Sequence, residues 1–413
     1  MVKGIGGRRS TPARTREALL QAGEAVFSER GYHEASVSEI CRRAGLANGT
    51  FYRHFEHKEE IFAALVERLQ NGMRERIQRA LAEAADGRDA LLQACRDVLH
   101  YIARESALYR VGRGAEAIRL GIHRQFRMNL AEALGRVLRA GVESGVFRAV
   151  DETTAAYAIL GMLEFMVMRY ILWEPGSLHE GVYRTLECLV MSGFDTGTAR
   201  VEGMKRPPVG AEPRQGDPAD TLQGGEATRQ ALLDAAERLF GQTGFYQTSV
   251  SAITYVAGVA QGTFYLHFPS KVAIFAELAR EINRKFRAAE RAALAGIVDR
   301  REVEVAGFQA FFRFIAAHRG AYWIIREAEL IDPETGRWYY ERLARGYTAG
   351  LSQAMERGEV YRMAPEPLSY ALLGAGHSVA LWWLADDAKP VPADRVVCAL
   401  LDFLERGLLD RNG

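Results

Sequence analysis

Apolar residues recur along this chain at spacings of three and four almost from end to end, and the alternation of a half-buried strand is nearly absent. The pattern predicts an all-α protein. Helices are expected over residues 15–30, 59–78, 90–104, 107–118, 123–141, 153–173 and 177–194. A second series is expected over 303–318, 321–330, 336–357, 367–384 and 393–409, after a long helix ending near residue 294. In the first segment Leu19, Ala22, Gly23, Val26 and Phe27 share a face, and Gly31 stops the helix. Residues 153–173 and 177–194 are apolar on more than one face, so both must be buried. The run 155–173 is nearly long enough to span a bilayer, but Glu164 and Arg169 interrupt it and Gly161 weakens it. It reads as a helix buried at a protein interface.

Between residues 36 and 58 the rhythm changes to that of two short helices joined by a sharp turn. Ser36 is placed to cap the first, and Glu39 three residues on completes a capping-box pattern. Gly45 suits the turn that ends it. Ile40, Ala44, Leu46, Phe51 and Phe55 are placed to pack inward. Thr50, Tyr52, Arg53 and His54 are left for the outer face, where short donors, a phenol, a guanidinium and an imidazole suit a major groove and its flanking phosphates. Lys58 opens the next helix, where its charge adds to the helix dipole in attracting phosphate.

The same stretch returns 213 residues later without a gap: Gly45-Leu46-Ala47-Asn48-Gly49-Thr50-Phe51-Tyr52-Arg53-His54-Phe55 with Lys58 becomes Gly258-Val259-Ala260-Gln261-Gly262-Thr263-Phe264-Tyr265-Leu266-His267-Phe268 with Lys271. That offset also aligns Tyr109 with Tyr322, Gly145 with Gly358 and Gly161 with Gly374, so the whole unit is duplicated. The repeated pattern, preceded in both copies by Ser-Val-x-x-Ile, resembles the DNA-binding signature of TetR-type transcriptional regulators. The resemblance implies a helix-turn-helix head, a helical ligand domain, and dimerisation through the last two helices as a four-helix bundle. One departure is that Ala47 and Ala260 stand where a Ser or Thr is usual, which removes a side-chain cap from the recognition helix.

The expected organisation is a basic arm (1–14), a first head (15–58), a first regulatory domain (59–194), a linker (195–227), a second head (228–271) and a second regulatory domain (272–413). The arm holds Lys3, Arg8, Arg9 and Arg14 and no acid, which suits a minor-groove or phosphate contact or a solvated tail. The linker is rich in Gly and Pro and, extended, reaches roughly 100 Å. The net charge of +1 over 413 residues gives no global basic field, so charge matters locally. Cys41, Cys95, Cys188 and Cys398 are far apart and read as reduced thiols of a cytoplasmic protein. There is no phosphate-binding glycine loop, no nucleophile elbow and no His-x-x-x-His pair, so no enzyme, metal or cofactor is expected.

The two heads differ. Arg42, Arg43 and Arg53 become Tyr255, Val256 and Leu266; Asn48 becomes Gln261; Glu39 becomes Ala252. The residues expected at double-stranded operator DNA are Ser36, Arg43, Asn48, Thr50, Tyr52, Arg53, His54 and Lys58, with Ser249, Gln261, Thr263, Tyr265, His267 and Lys271 in the second head. Having more cations, the first should dominate binding. Polar residues also sit inside apolar helices: Arg113 and Glu116 with their counterparts Arg326 and Glu329, and Glu164 with its counterpart His377. These form internal ion pairs or fix the polar end of a small hydrophobic effector, and Trp323 and Trp382 make the aromatic-rich second copy the better pocket. The expected function is a DNA-binding regulator, a repressor released by that effector. The alternative is a DNA-binding or scaffold protein with no ligand. The expected assembly is an internal pseudo-dimer, with a homodimer of tandem chains as the alternative.

Overall fold

A computed structural model of the chain describes residues 12–118, 122–192, 224–385 and 393–407. The arm up to residue 11 and the linker up to residue 223 lie outside the described residues. The first copy comprises α1 (Pro12–Glu34), α2 (Val37–Ala44), α3 (Asn48–Phe51), α4 (Lys58–Glu83), α5 (Gly87–Arg104), α6 (Ser106–Ile118), α7 (Ile122–Glu143), α8 (Glu152–Val167), extended by a π-helical turn Met168–Trp173, and α9 (Glu180–Ser192). The second comprises α10 (Gly225–Thr243), α11 (Val250–Ala257), α12 (Gln261–His267), α13 (Lys271–Leu294), α14 (Arg300–Ala317), α15 (Arg319–Ile331), α16 (Pro333–Glu356), α17 (Pro365–Ala385) and α18 (Ala393–Arg406). No strand occurs among the described residues. The offset of 213 residues carries the ends of α5 and α6 onto those of α14 and α15, so the duplication holds in the fold as in the sequence.

Several helices begin earlier than the apolar periodicity suggests because polar residues start them, whereas α9, expected from residue 177, starts at Glu180. Asp299 caps α14 by accepting the N–H groups of Arg301 and Glu302, and α16 starts with Pro333 behind Asp332, which accepts from Thr335. Within α1 the backbone breaks at Gly31, whose φ of 73° ends the regular helix where the sequence places its stop.

The chain divides into two compact units, one of Met1–Arg79 with Asp97–Leu130, the other of Ala80–Arg96 with Ala131–Gly413. In the first, α1 packs on α2 and α6, and Val26, Phe27, Ile40, Phe51, Phe55 and Phe62 form the buried centre. Arg68 of α4 holds Glu17 of α1 through paired bonds of 3.0 and 2.5 Å. In the second, α10–α16 form the second head and body, and α8, α9, α17 and α18 form a four-helix bundle.

The centre of that bundle is a backbone contact. A Cβ placed on Gly161 would lie 1.9 Å from the carbonyl oxygen of Gly374, and one on Gly374 would lie 2.1 Å from that of Gly161. These glycines are counterparts under the repeat, so α8 and α17 cross at equivalent points. Around the crossing the contacts come in reciprocal pairs. Tyr157 stacks on Trp382 with centroids 5.4 Å apart, and the counterpart positions Tyr370 and Arg169 meet as a cation–π pair at 5.9 Å. Such reciprocity is the mark of an isologous interface. The apolar run over Glu152–Trp173 is thus buried inside the bundle, as its sequence leads one to expect.

Gly161→Ala is therefore expected to destabilise the protein by about 1–3 kcal/mol, through overpacking against backbone. Gly135→Ala, where nothing lies within 4 Å of the added methyl, is expected to be neutral or stabilising. Thermal denaturation of the two variants tests this.

Two helix-turn-helix heads and an aromatic cavity

In the first head Ser36 caps α2, its Oγ accepting the Glu39 N–H at 3.2 Å. The reciprocal half of the box does not form: the Glu39 carboxylate pairs with Arg30 at 3.0 Å and Arg42 at 3.6 Å. Gly45 ends α2 at φ 68°, a conformation natural to glycine. Ala47 occupies the cap of α3 with no side-chain bond. Phe51 and Phe55 are buried, which turns Asn48, Tyr52 and Arg53 outward; Tyr52 is 61% exposed. Thr50 and His54 are half-buried, and Thr50 Oγ1 accepts from Arg53 at 3.3 Å. Arg43 is held by Glu29 through two bonds of 2.6 Å.

Lys58 departs from its expected role at a phosphate. Its Nζ donates to the carbonyls of Tyr32 and Ala35 at 2.7 and 3.0 Å and lies 4.3 Å from the Tyr32 ring centre. Burial lowers its pKa, with Glu59 opposing. Lys271 repeats the arrangement on Phe245 and Thr248, 2.9 Å from each carbonyl. In both heads this lysine ties the turn after the first helix to the start of the fourth. The sequence shows an N-terminal lysine in each copy but not the carbonyls that claim it.

The second head keeps the same frame. Ser249 caps α11, and Gln261, Thr263, Tyr265 and His267 lie along α12. Its outer face is apolar where the first is cationic: Tyr255 is 87% and Leu266 83% exposed, in the places of Arg42 and Arg53.

The polar residues of the body form one buried cluster. Arg326 of α15 donates from Nη1 to Glu164 of α8 at 3.1 Å and to Nε2 of His377 at 2.5 Å. A guanidinium only donates, so Nε2 accepts and the imidazole proton sits on Nδ1. Nδ1 then donates to Tyr322 Oη at 2.7 Å, and that hydroxyl donates to the His377 carbonyl at 3.0 Å. His377 is therefore neutral, and every direction in the chain of bonds is fixed.

Beside this cluster lies a cavity of about 350 Å³ bounded by α13, α14, α15, α16 and α17. Phe308, Phe311, Tyr322, Tyr339, Tyr340 and His377 line it, and Phe165, from α8 of the first copy, completes the wall. Arg287 and Arg291 line it from α13, with Arg291 exposed. Arg300, Glu304 and Tyr347 form a hydrogen-bonded triad in the wall. Burial works against the Arg300 charge, but Glu304 and Tyr347 together outweigh it and the pKa is raised. Burial also raises the pKa of Glu290, with the neighbouring Arg287 acting the other way.

Of the expected ligand residues whose side chains are described, only His377 lines this cavity. Arg326 stands behind the wall, paired with Glu164. Trp323 is on the surface at 36% exposure, and Trp382 stacks on Tyr157 in the bundle. Glu329 packs against Gly336, and Arg113 is buried in the first unit. The side chain of Glu116 lies outside the described residues. The sequence reading missed Arg287, Glu290, Arg300, Glu304 and Tyr347. Comparing copies would have found four of them, since the counterparts of Glu290, Arg300, Glu304 and Tyr347 are Ile77, Gly87, Leu91 and Leu134, but not Arg287, whose counterpart is Arg74.

Two capped helix-turn-helix heads, each followed by a helical body, define a DNA-binding regulator. The family model for bacterial regulatory proteins of the tetR family matches residues 19–65 and again 232–278, and that for a tetracyclin repressor-like C-terminal domain matches 84–170. An uncharacterized HTH-type transcriptional regulator of Bacillus subtilis, YdgC, is 30% identical over 188 residues, 43% of this chain and 93% of the relative. The chain belongs to the TetR family of transcriptional regulators, as a tandem duplication. The fatty acid metabolism regulator protein of Bacillus subtilis is 25% identical over 166 residues, 37% of this chain and 82% of that protein. Among solved structures, the TetR family transcriptional regulator PfmR from Thermus thermophilus is 28% identical, covering 41% of this chain and 95% of its own, at a TM-score of 0.37.

Two outcomes follow from the geometry. Lys58→Met is expected to cost about 1–3 kcal/mol of stability while leaving the salt dependence of DNA binding nearly unchanged, whereas Arg53→Ala lowers that slope by about one. Glu164→Ala strands the Arg326 charge and is expected to cost about 3–5 kcal/mol in denaturant unfolding, well above Glu164→Gln.

Proposed function

We propose that this regulator is a repressor built as an internal pseudo-dimer and released from its operator by an amphipathic effector, an acyl chain carrying an anionic head. The cavity is the observation that carries the reading. Its aromatic walls suit an apolar chain, and Arg287 and Arg291 suit an anion. The name of the fatty acid metabolism regulator among the relatives points to the same class.

The reciprocal contacts about Gly161 and Gly374 support pairing of the two copies within one chain, and a linker of about thirty residues favours that pairing through effective concentration. Such a protein would act in the cytoplasm, where its DNA is. In the first head Ser36, Arg43, Asn48, Thr50, Tyr52, Arg53 and His54 are proposed to meet the stricter half-site. Ser249, Gln261, Thr263, Tyr265 and His267 meet a second, dissimilar one more weakly, because Tyr255 and Leu266 neutralise no phosphate.

Light scattering should give the mass of one chain, and a mobility shift on the DNA upstream of its own gene should be reversed by palmitoyl coenzyme A. A two-chain particle would support the homodimer of tandem chains instead. Binding indifferent to every acyl coenzyme A tried would sink the effector.

A further inference from the structure

The helix that lines the cavity is also fastened to the second head, by a residue that the first copy lacks. On α15, Tyr322 and Ile325 face the cavity and Arg326 reaches Glu164 and His377. The next residue, Glu327, is buried at 5% exposure, and its Oε2 accepts the backbone N–H of Phe245 at 3.0 Å. Phe245 follows Gly244, which ends α10 at φ 82°, and so lies on the turn between the first two helices of the head. The carbonyls of Phe245 and Thr248, on the same turn, are taken by Lys271. A second fastening lies nearby: a Cβ on Gly241 would come within 2.7 Å of Gly320 Cα, so α10 and α15 touch backbone to backbone. A helix pressed this closely and tied by a buried carboxyl acceptor moves with what it is tied to.

In the first copy the lysine remains and the fastener does not. Lys58 holds Tyr32 and Ala35 as Lys271 holds Phe245 and Thr248. The counterpart of Glu327, however, is Gly114, and the counterparts of Gly241 and Gly320 are Ser28 and Ala107. Among the described residues, a Cβ on Gly114 would find only Phe62 Cζ within 4 Å, at 3.9 Å, so no described side chain stands where the carboxylate would be. The Tyr32 hydroxyl is instead bonded to Glu59, in the first turn of α4, at 2.5 Å.

We propose that Glu327 is the positioning residue through which occupancy of the cavity sets the second head, and that the first head, with Gly114 in its place, is not driven by this route. An effector thus releases the two half-sites unequally, the second before the first. This rests on the effector reading above.

The test uses the full chain as wild type, Glu327→Ala and Glu327→Gln, with palmitoyl coenzyme A as probe. Its binding is read by tryptophan fluorescence, half-site occupancy by footprinting, and the Phe245 and Tyr32 amides by hydrogen exchange. In the wild type the probe is expected to clear the second half-site at lower concentration than the first. Glu327→Ala should keep probe affinity within about twofold, speed Phe245 exchange about tenfold or more, leave Tyr32 unchanged, and abolish the unequal release. Glu327→Gln, whose amide oxygen still accepts, should restore the wild-type pattern. Equal release of both half-sites in the wild type, or unequal release that survives in Glu327→Ala, overturns the proposal. Failure of the wild type to bind the probe overturns the effector class and leaves the exchange arm to decide the fastener: unchanged Phe245 exchange in Glu327→Ala then refutes it.

Discussion

The approach of α8 to α17 at Gly161 and Gly374 is the constraint on which the rest of the second unit depends. Two helices meet there closely enough that neither position tolerates a Cβ. Removing two side chains brings the flanking ones within reach, so Phe165 of the first copy enters the wall of the second copy's cavity and Glu164 reaches Arg326. With bulkier residues at the crossing, the helices would stand apart, the cavity would lose a wall and Arg326 would lose its carboxylate. Packing of backbone on backbone thereby determines the electrostatics: a charge buried at 2% exposure is tolerable only with its partner delivered to it.

Much of this was legible in the sequence, and the rest fails for identifiable reasons. The heads were readable because their signals are local: Ser36, Gly45, Phe51 and Phe55 each act on residues within a few positions, and each acts in the structure as read. The duplication was readable because one offset aligns residues hundreds of positions apart. The role of Lys58 was not readable, since its acceptors are backbone carbonyls of a turn more than twenty residues away and carry no side-chain signature. The cavity was legible only as a region. Tryptophans suggested it, yet Trp323 is on the surface and Trp382 in the bundle. Hydrophobicity marks what is buried without distinguishing a filled core from a lined void. That distinction needed the hydrogen-bonded triad of Arg300, Glu304 and Tyr347, which an apolar stripe does not foretell.

The same comparison explains how the heads came to differ without losing their frame. The residues that shape a helix-turn-helix are shared: the serine caps, the αL glycines, the buried phenylalanine pairs and the carbonyl-binding lysines. The changes of charge fall on the outer faces, where Arg42 and Arg53 become Tyr255 and Leu266 and little packing is at stake, while buried changes such as Cys41 to Thr254 and Tyr32 to Phe245 nearly keep side-chain size. Exposed positions change at small cost to stability, while buried ones are held by close packing. The larger chemical changes thus lie at exposed positions, where they alter surface charge rather than packing.

Joining two copies in one chain also removes a restriction that symmetry imposes. In a homodimer each substitution appears twice, and residues at equivalent positions carry identical chemistry. Here position 164 is Glu and its counterpart 377 is His, and a single guanidinium, Arg326, donates to both. Two carboxylates at those places would leave Arg326 with one negative charge too many in a buried site. Two imidazoles would leave its charge without a counter-ion. One of each gives a neutralising carboxylate and a neutral acceptor, which is the combination a lone buried arginine requires. That arrangement is accessible only when the two positions are encoded separately. The asymmetry of the buried cluster, like that of the heads and of Glu327 against Gly114, is a chemical consequence of the duplication.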